Sequence, residues 1–125
     1  MKQELLYPNL SYKICGLCFK IHNALGRFRS EKSYADALEE LFKRENISHT
    51  RAASLPPSFV GEGTRRNIVD LIIEDSVILE IKAKRIVTKE DYFQTKRYLA
   101  ASGKKLGIVV NFHQKYLSPK RVLYS

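Results

Sequence analysis

Asp70, Glu80 and Lys82 lie close together in the run Asp70-Leu71-Ile72-Ile73-Glu74-Asp75-Ser76-Val77-Ile78-Leu79-Glu80-Ile81-Lys82, and their side chains are of types that can work together chemically. The run reads as two apolar, β-branched segments joined by a short acidic turn, the pattern of a hairpin. Residues two apart on a strand share a face, so Glu80 and Lys82 point the same way. The direction of Asp70 depends on the turn. A three-residue loop of Glu74, Asp75 and Ser76 pairs Ile73 with Val77 and sets Asp70 opposite Glu80. A two-residue loop pairs Asp70 with Leu79 and, without a bulge, sends the carboxylates to opposite faces.

The three-residue reading gives two carboxylates side by side with an ammonium one step along. Such carboxylates repel one another and pay for desolvation unless a cation lies between them. Hard oxygen ligands of this kind suit Mg2+ or Mn2+, with the peptide carbonyl of Ile81 as a further oxygen. A divalent ion so placed can orient a phosphodiester, activate water and stabilise charge on phosphorus, while Lys82 orients the water or neutralises that charge. The residues therefore match metal-assisted phosphodiester hydrolysis. The run from Val77 to Lys84 also alternates in part, as an exposed strand with a Glu–Lys pair would. Asp70 is harder to read that way, because a lone Asp in Ile68-Val69-Asp70-Leu71-Ile72-Ile73 is costly.

A second cluster carries less. Cys15-Gly16-Leu17-Cys18 has the spacing of a redox dithiol, but no strand precedes it and it falls inside a helical pattern. His22 shares that helix face, and a structural zinc site would need a fourth ligand. Thiols packing a helix face, with His22 at the edge of the core, are the expectation.

At 125 residues the chain is expected to form one domain (1–125) with a substantial core. No apolar run is long enough to span a bilayer, and Met1-Lys2-Gln3-Glu4 lacks a signal-peptide pattern, so no membrane association and a cytoplasmic address are expected. The net charge is +9, distributed unevenly: residues 1–64 hold nine basic and seven acidic side chains, and 65–125 hold thirteen and six. A basic excess beside paired carboxylates points to a polyanionic partner, with nucleic acid foremost. A basic surface serving only solubility is the plainer alternative.

The elements that must position these residues follow from periodicity. Ile14, Leu17, Cys18, Ile21, Ala24 and Leu25 predict a helix over 10–25, capped by Ser11 and stopped by Gly26. Ser30 is placed to cap a second helix from Glu31 to about Glu45, with Tyr34, Ala37, Leu38, Leu41 and Phe42 inward. Glu31 falls in its first turn, where the helix dipole favours negative charge, and on pattern alone it is a surface residue. A modest strand from Ile47 to Ala53 is turned by Pro56-Pro57, and Phe59 to Arg66 reads as loop. The hairpin then spans Asn67–Ile73 and Val77–Ala83. Thr88 and Asp91 form a capping pair for a third helix ending near Ser102, with Gly103 as its stop. Tyr92, Phe93, Leu99 and Ala100 give that helix an apolar side, and Gln94 and Tyr98 share another stripe. Leu106 to Phe112 is apolar throughout, as in a strand covered on both faces, and the tail suggests a short edge strand. The order α-α-β-β-β-α-β, with one further short strand, predicts an α/β fold: a mixed β-sheet with a central hairpin flanked by helices.

Asp70, nine residues, then Glu80-Ile81-Lys82 resembles the signature of PD-(D/E)XK nucleases, with Val69 where that signature has proline. Nearly the whole chain is similar to the GxxExxY family of that superfamily. Ser11-Tyr12-Lys13-Ile14 through His22-Asn23-Ala24-Leu25-Gly26 resembles its opening helix, and Glu31-Lys32-Ser33-Tyr34 its ExxY. Gln94 with Arg97-Tyr98-Leu99 resembles its Gln-containing helix, and Leu106 to Phe112 its closing strand. Phe28 stands where the family has its first glycine, which puts the placement of Glu31 in question. The resemblance implies a restriction-endonuclease-like core with Glu31, Asp70, Glu80, Lys82 and Gln94 around one site. It makes Glu31 an outer metal ligand and lets Gln94 orient a carboxylate or contact DNA, whereas Tyr34 reads as packing. The expected activity is Mg2+- or Mn2+-dependent cleavage of DNA, with room for a protein partner or a homo-oligomer. The alternative is a non-catalytic module that binds nucleic acid or a partner and retains the fold.

Overall fold

A computed structural model describes residues 7–57, 59–63 and 66–124. The expected N-terminal features at Met1-Lys2-Gln3-Glu4, and Thr64-Arg65 of the loop before the hairpin, lie outside those residues. The chain runs α1 (Pro8–Leu25), α2 (Glu31–Arg44), β1 (His49–Ser54), β2 (Ile68–Ile73), β3 (Val77–Lys82), α3 (Lys89–Ser102), β4 (Leu106–Asn111) and β5 (Lys120–Leu123). The α/β order is the one periodicity predicts. The strands lie in the order β1-β2-β3-β4-β5, antiparallel except for the parallel pair β3/β4 that α3 connects.

Helices cover both faces of the sheet. On one, Ile14, Leu17 and Ile21 of α1 and Tyr34, Leu38 and Phe42 of α2 pack on Leu71, Leu79, Ile81 and Val110. On the other, Leu99 and Tyr98 of α3 pack on Ile78, Val109 and Val122. β3 is therefore apolar on both sides, and its even-numbered residues, Glu80 and Lys82 among them, turn toward α3.

Local chemistry sets the helix ends. Ser30 accepts from the Ser33 amide at 3.1 Å, and Thr88 and Asp91 close α3 with a 2.7 Å bond from the Thr88 N–H to Asp91 Oδ2. Gly26 and Gly103 stop α1 and α3 with φ of 78° and 73°. Ser11, expected as a cap, is instead buried in the first turn of α1 and accepts from Arg121 Nη1 at 2.6 Å. Pro8 starts that helix earlier, since its fixed φ and missing N–H suit a first turn. In α3 the inward stripe is Asp91, Thr95, Tyr98 and Leu99; Phe93 and Ala100, expected inside, face solvent. Among the described residues no helix is long and apolar enough to cross a membrane.

Candidate active site

The turn resolves the register. Ile73 pairs with Val77, and Glu74 and Asp75 take left-handed φ of 51° and 52°, so the loop has three residues. One step past the Leu71–Leu79 pair, Asp70 and Glu80 come opposite one another. Their side chains take over the cross-strand bonding there: Ile81 N–H donates to Asp70 Oδ2 at 2.7 Å, and Asp70 N–H donates to Glu80 Oε1 at 3.2 Å. The two carboxyl groups are thus held against each other between adjacent strands.

The neighbouring strand explains how Asp70 is aimed. Arg51 and Ala53 lie opposite Leu71 and Val69, so Ala52 falls opposite Asp70. Ala52 has φ 51°, a conformation that disfavours any side chain. Across this point both strands change faces: Arg51 bonds to α2 and Leu71 packs under α1 and α2, but Ala53 and Val69 pack in the α3-side core. Asp70 sits at the switch. Its carboxyl meets β3, and the residue also lines a cavity of about 280 Å3 with Glu31, Lys32 and Arg51.

Burial shapes the electrostatics. Glu80 is 3 % exposed, and loss of water together with the Asp70 charge pushes its pKa up to about 8, against the opposing pull of Lys82. Lys82 Nζ donates to Gln94 Oε1 at 3.0 Å and lies 3.8 Å from Asp91 Oδ1. Burial works to raise the Asp91 pKa, but the Lys84 ammonium at 2.6 Å and the Thr88 N–H outweigh it and hold the carboxyl below its usual range. Tyr98, one turn beyond Gln94, is buried beside this group, and burial followed by the Glu80 charge raises its phenol pKa.

Of the five residues expected at one site, four therefore fall into two touching pairs, Asp70 with Glu80 and Lys82 with Gln94. Glu31 is exposed and shares only the cavity with Asp70. Gln94 holds the ammonium rather than a carboxylate. Phe28 is exposed on the loop before α2. That loop is anchored from below: the Tyr34 hydroxyl donates to Gly26 O at 2.7 Å and accepts from Arg29 N–H at 3.1 Å, with its ring stacked 4.2 Å from Phe112. Tyr34 is packing, as expected. So are the cysteines: Cys18 is fully buried and Cys15 partly so, and burial raises both thiol pKa values, the opposite of a reactive dithiol. His22 bonds the Gln114 carbonyl at 2.8 Å, at the edge of the core.

Sequence reasoning missed Asp91, Lys84 and Asn111 as neighbours of the site. Asn111 ends β4 beside Lys82, accepts from Lys84 N–H at 3.1 Å and donates to Lys84 O at 2.7 Å, so it clamps the chain leaving β3. Asp91 had a visible signal as a capping residue. The ammonium groups it also holds come from another element.

The donor set fits a divalent cation by charge and hardness: two opposed carboxylates, each with one oxygen on a backbone N–H. It is a pair rather than a cage, for among the described residues no group of three or more His, Cys, Asp or Glu converges. Mg2+, which keeps most of its water, does not need more.

A model of the PD-(D/E)XK nuclease superfamily matches residues 8–122, and the chain belongs to that superfamily. Among solved structures it is similar to an alkaline exonuclease from Laribacter hongkongensis, at a TM-score of 0.55 and 12% identity, covering 98% of this chain and 73% of that one. At that identity the likeness speaks for the fold, which is restriction-endonuclease-like. No curated protein matches the chain by sequence.

Proposed function

We propose that this chain is a divalent-metal-dependent nuclease that hydrolyses phosphodiester bonds in DNA, a reading that rests on the Asp70–Glu80 pair with Lys82 one step along the strand. Asp70, Glu80 and the Ile81 carbonyl are the residues to hold Mg2+ or Mn2+, with Glu31 reaching from across the cavity as an outer ligand. The ion would supply charge to orient the phosphodiester and offset the negative charge that builds on phosphorus. Lys82 orients the attacking water and is itself aimed by Gln94 and Asp91. Membership of the superfamily supports this chemistry, and the ExxY and Gln-helix likenesses support placing the chain in its GxxExxY branch.

The test is cleavage of single- and double-stranded DNA and RNA with and without Mn2+, beside Lys82→Ala. Metal-dependent cleavage that Lys82→Ala abolishes, with the melting curve kept, is the expected result; full activity in the variant removes Lys82 from the mechanism. One observation favours a second reading, a nucleic-acid-binding module without catalysis: among the described residues only two acidic groups meet there. Titration with Mn2+ separates the two readings. Binding that disappears in Asp70→Asn supports the enzyme, and no binding at millimolar metal supports the module.

A further inference from the structure

The register sends every segment that leaves the Asp70 and Lys82 ends of their strands to one end of the sheet. Among the described residues these segments are 55–57, 59–63, 66–67, 83–88 and 112–119, joined by the loop 26–30 that leads to Glu31. They carry six Lys or Arg residues and one Glu. The turns at the opposite end, 45–48, 74–76 and 103–105, carry two basic and three acidic residues.

Exposed apolar side chains gather at the same end. Among the described residues six large ones are 63 % exposed or more, and five lie on these loops: Phe28, Phe59, Val60, Ile86 and Tyr116. Tyr12, on α1, is the exception. Scattered exposed apolar residues need no explanation, but concentration on four separate loops around one site is a pattern. The loops bearing Phe28 and Tyr116 are tied together, since Arg27 Nε donates to His113 O at 3.0 Å and His22 Nε2 meets Gln114 O. Each ring also carries a cation, Arg27 at 5.2 Å from the Phe28 centroid and Lys115 at 5.5 Å from that of Tyr116.

A DNA duplex offers phosphates and the base edges in its grooves but no free base face, because its bases are stacked. An unpaired strand offers phosphates for the cations and base faces for the rings. We infer that this rim binds single-stranded DNA, with bases stacked on Phe28 and Tyr116 as the strand passes the Asp70–Glu80 pair. The inference deepens the nuclease reading and rests on it for the position of the strand, but its binding test does not need cleavage.

The experiment is fluorescence anisotropy of the whole chain with a labelled 20-nucleotide single strand and with the same sequence as a blunt duplex, in EDTA. The expected result is single-strand binding about tenfold tighter than duplex binding, with a loss of roughly fivefold or more in Phe28→Ala/Tyr116→Ala. Duplex binding should change less than about twofold in that variant, which must melt as the parent does because both side chains are exposed. Equal or tighter duplex binding, or a variant that keeps its single-strand affinity, overturns the inference. Binding of this kind without metal-dependent cleavage leaves the rim standing and removes the nuclease; cleavage with duplex preference does the reverse.

Discussion

Glu80 lies between two strands with the Asp70 carboxyl beside it, and both burial and that neighbour raise the free energy of its charged form. The unfolded chain ionises this group near pH 4.5, whereas the folded chain holds its proton until about 8. Between those values the folded state binds more protons than the unfolded, so the contribution of Glu80 to stability is whole below pH 4.5 and declines as pH rises to about 8. The decline approaches about 1.4 kcal/mol per pH unit at its steepest. Glu80→Gln, which cannot ionise, should gain on the parent in urea melts as pH goes from 5 to 8 in EDTA, and added Mg2+ should narrow the gap. A gap that does not change with pH would show that the carboxyl ionises freely in the fold. Tyr34 is a second residue with a measurable part. Phenylalanine there keeps the stack on Phe112 but strips two hydrogen bonds from the loop before Glu31, and should cost roughly 1–2 kcal/mol of stability. An unchanged melt would mean that loop is held by other contacts. The pairing of Asp70 with Glu80 was half legible in the chain: the residue types and turn were visible, but two loop lengths fitted. Nothing in Arg51-Ala52-Ala53 asks for a left-handed alanine, so the change of face that aims Asp70 had no signal.

The elements fall in the predicted order, α3 with its Thr88–Asp91 cap and Gly103 stop included, but its weak periodicity misassigned the buried face. Its sequence offers Phe93 and Ala100 for the inside, but burial goes to Asp91 and Thr95, polar residues that find partners there. Asp91 meets Lys84 and the Thr88 N–H, and the Thr95 hydroxyl donates to Asp91 O at 3.1 Å. Such partnerships cross elements, and binary patterning does not contain them. The close seat of α3 on the sheet depends on Gly107 of β4, where an added Cβ would come within 2.6 Å of Thr95 Cγ2. Gly107→Ala should therefore push α3 outward and cost roughly 1–3 kcal/mol. Because Gln94 adjoins Thr95, Gly107→Ala should also weaken the hold on Lys82 and lower kcat more than it raises KM. A variant as stable and active as the parent would mean that Thr95 turns aside freely. The cap of α2 is a smaller case: Ser30→Ala removes the bond to Ser33 N–H and should cost about 1 kcal/mol in a thermal melt.

At the scale of the molecule, a net charge of +9 makes association with a polyanion sensitive to salt. If the basic loops together engage six phosphates of a single strand, affinity should fall on the order of 300-fold between 50 and 200 mM salt. A flat response in an anisotropy titration would count against nucleic acid as the ligand. The uneven charge was legible from composition, but not the end of the sheet on which it gathers, because that follows from strand direction. The same directions decide where the described chain starts and finishes. α1 brings the chain toward the Asp70–Glu80 end from a starting point roughly 27 Å away, its 18 residues at about 1.5 Å each, and β5 carries it back the other way. A fluorophore on a cysteine placed at Pro8 or Leu123 would therefore sit at the pole away from the Asp70–Glu80 pair, so the molecule can be labelled without blocking that rim.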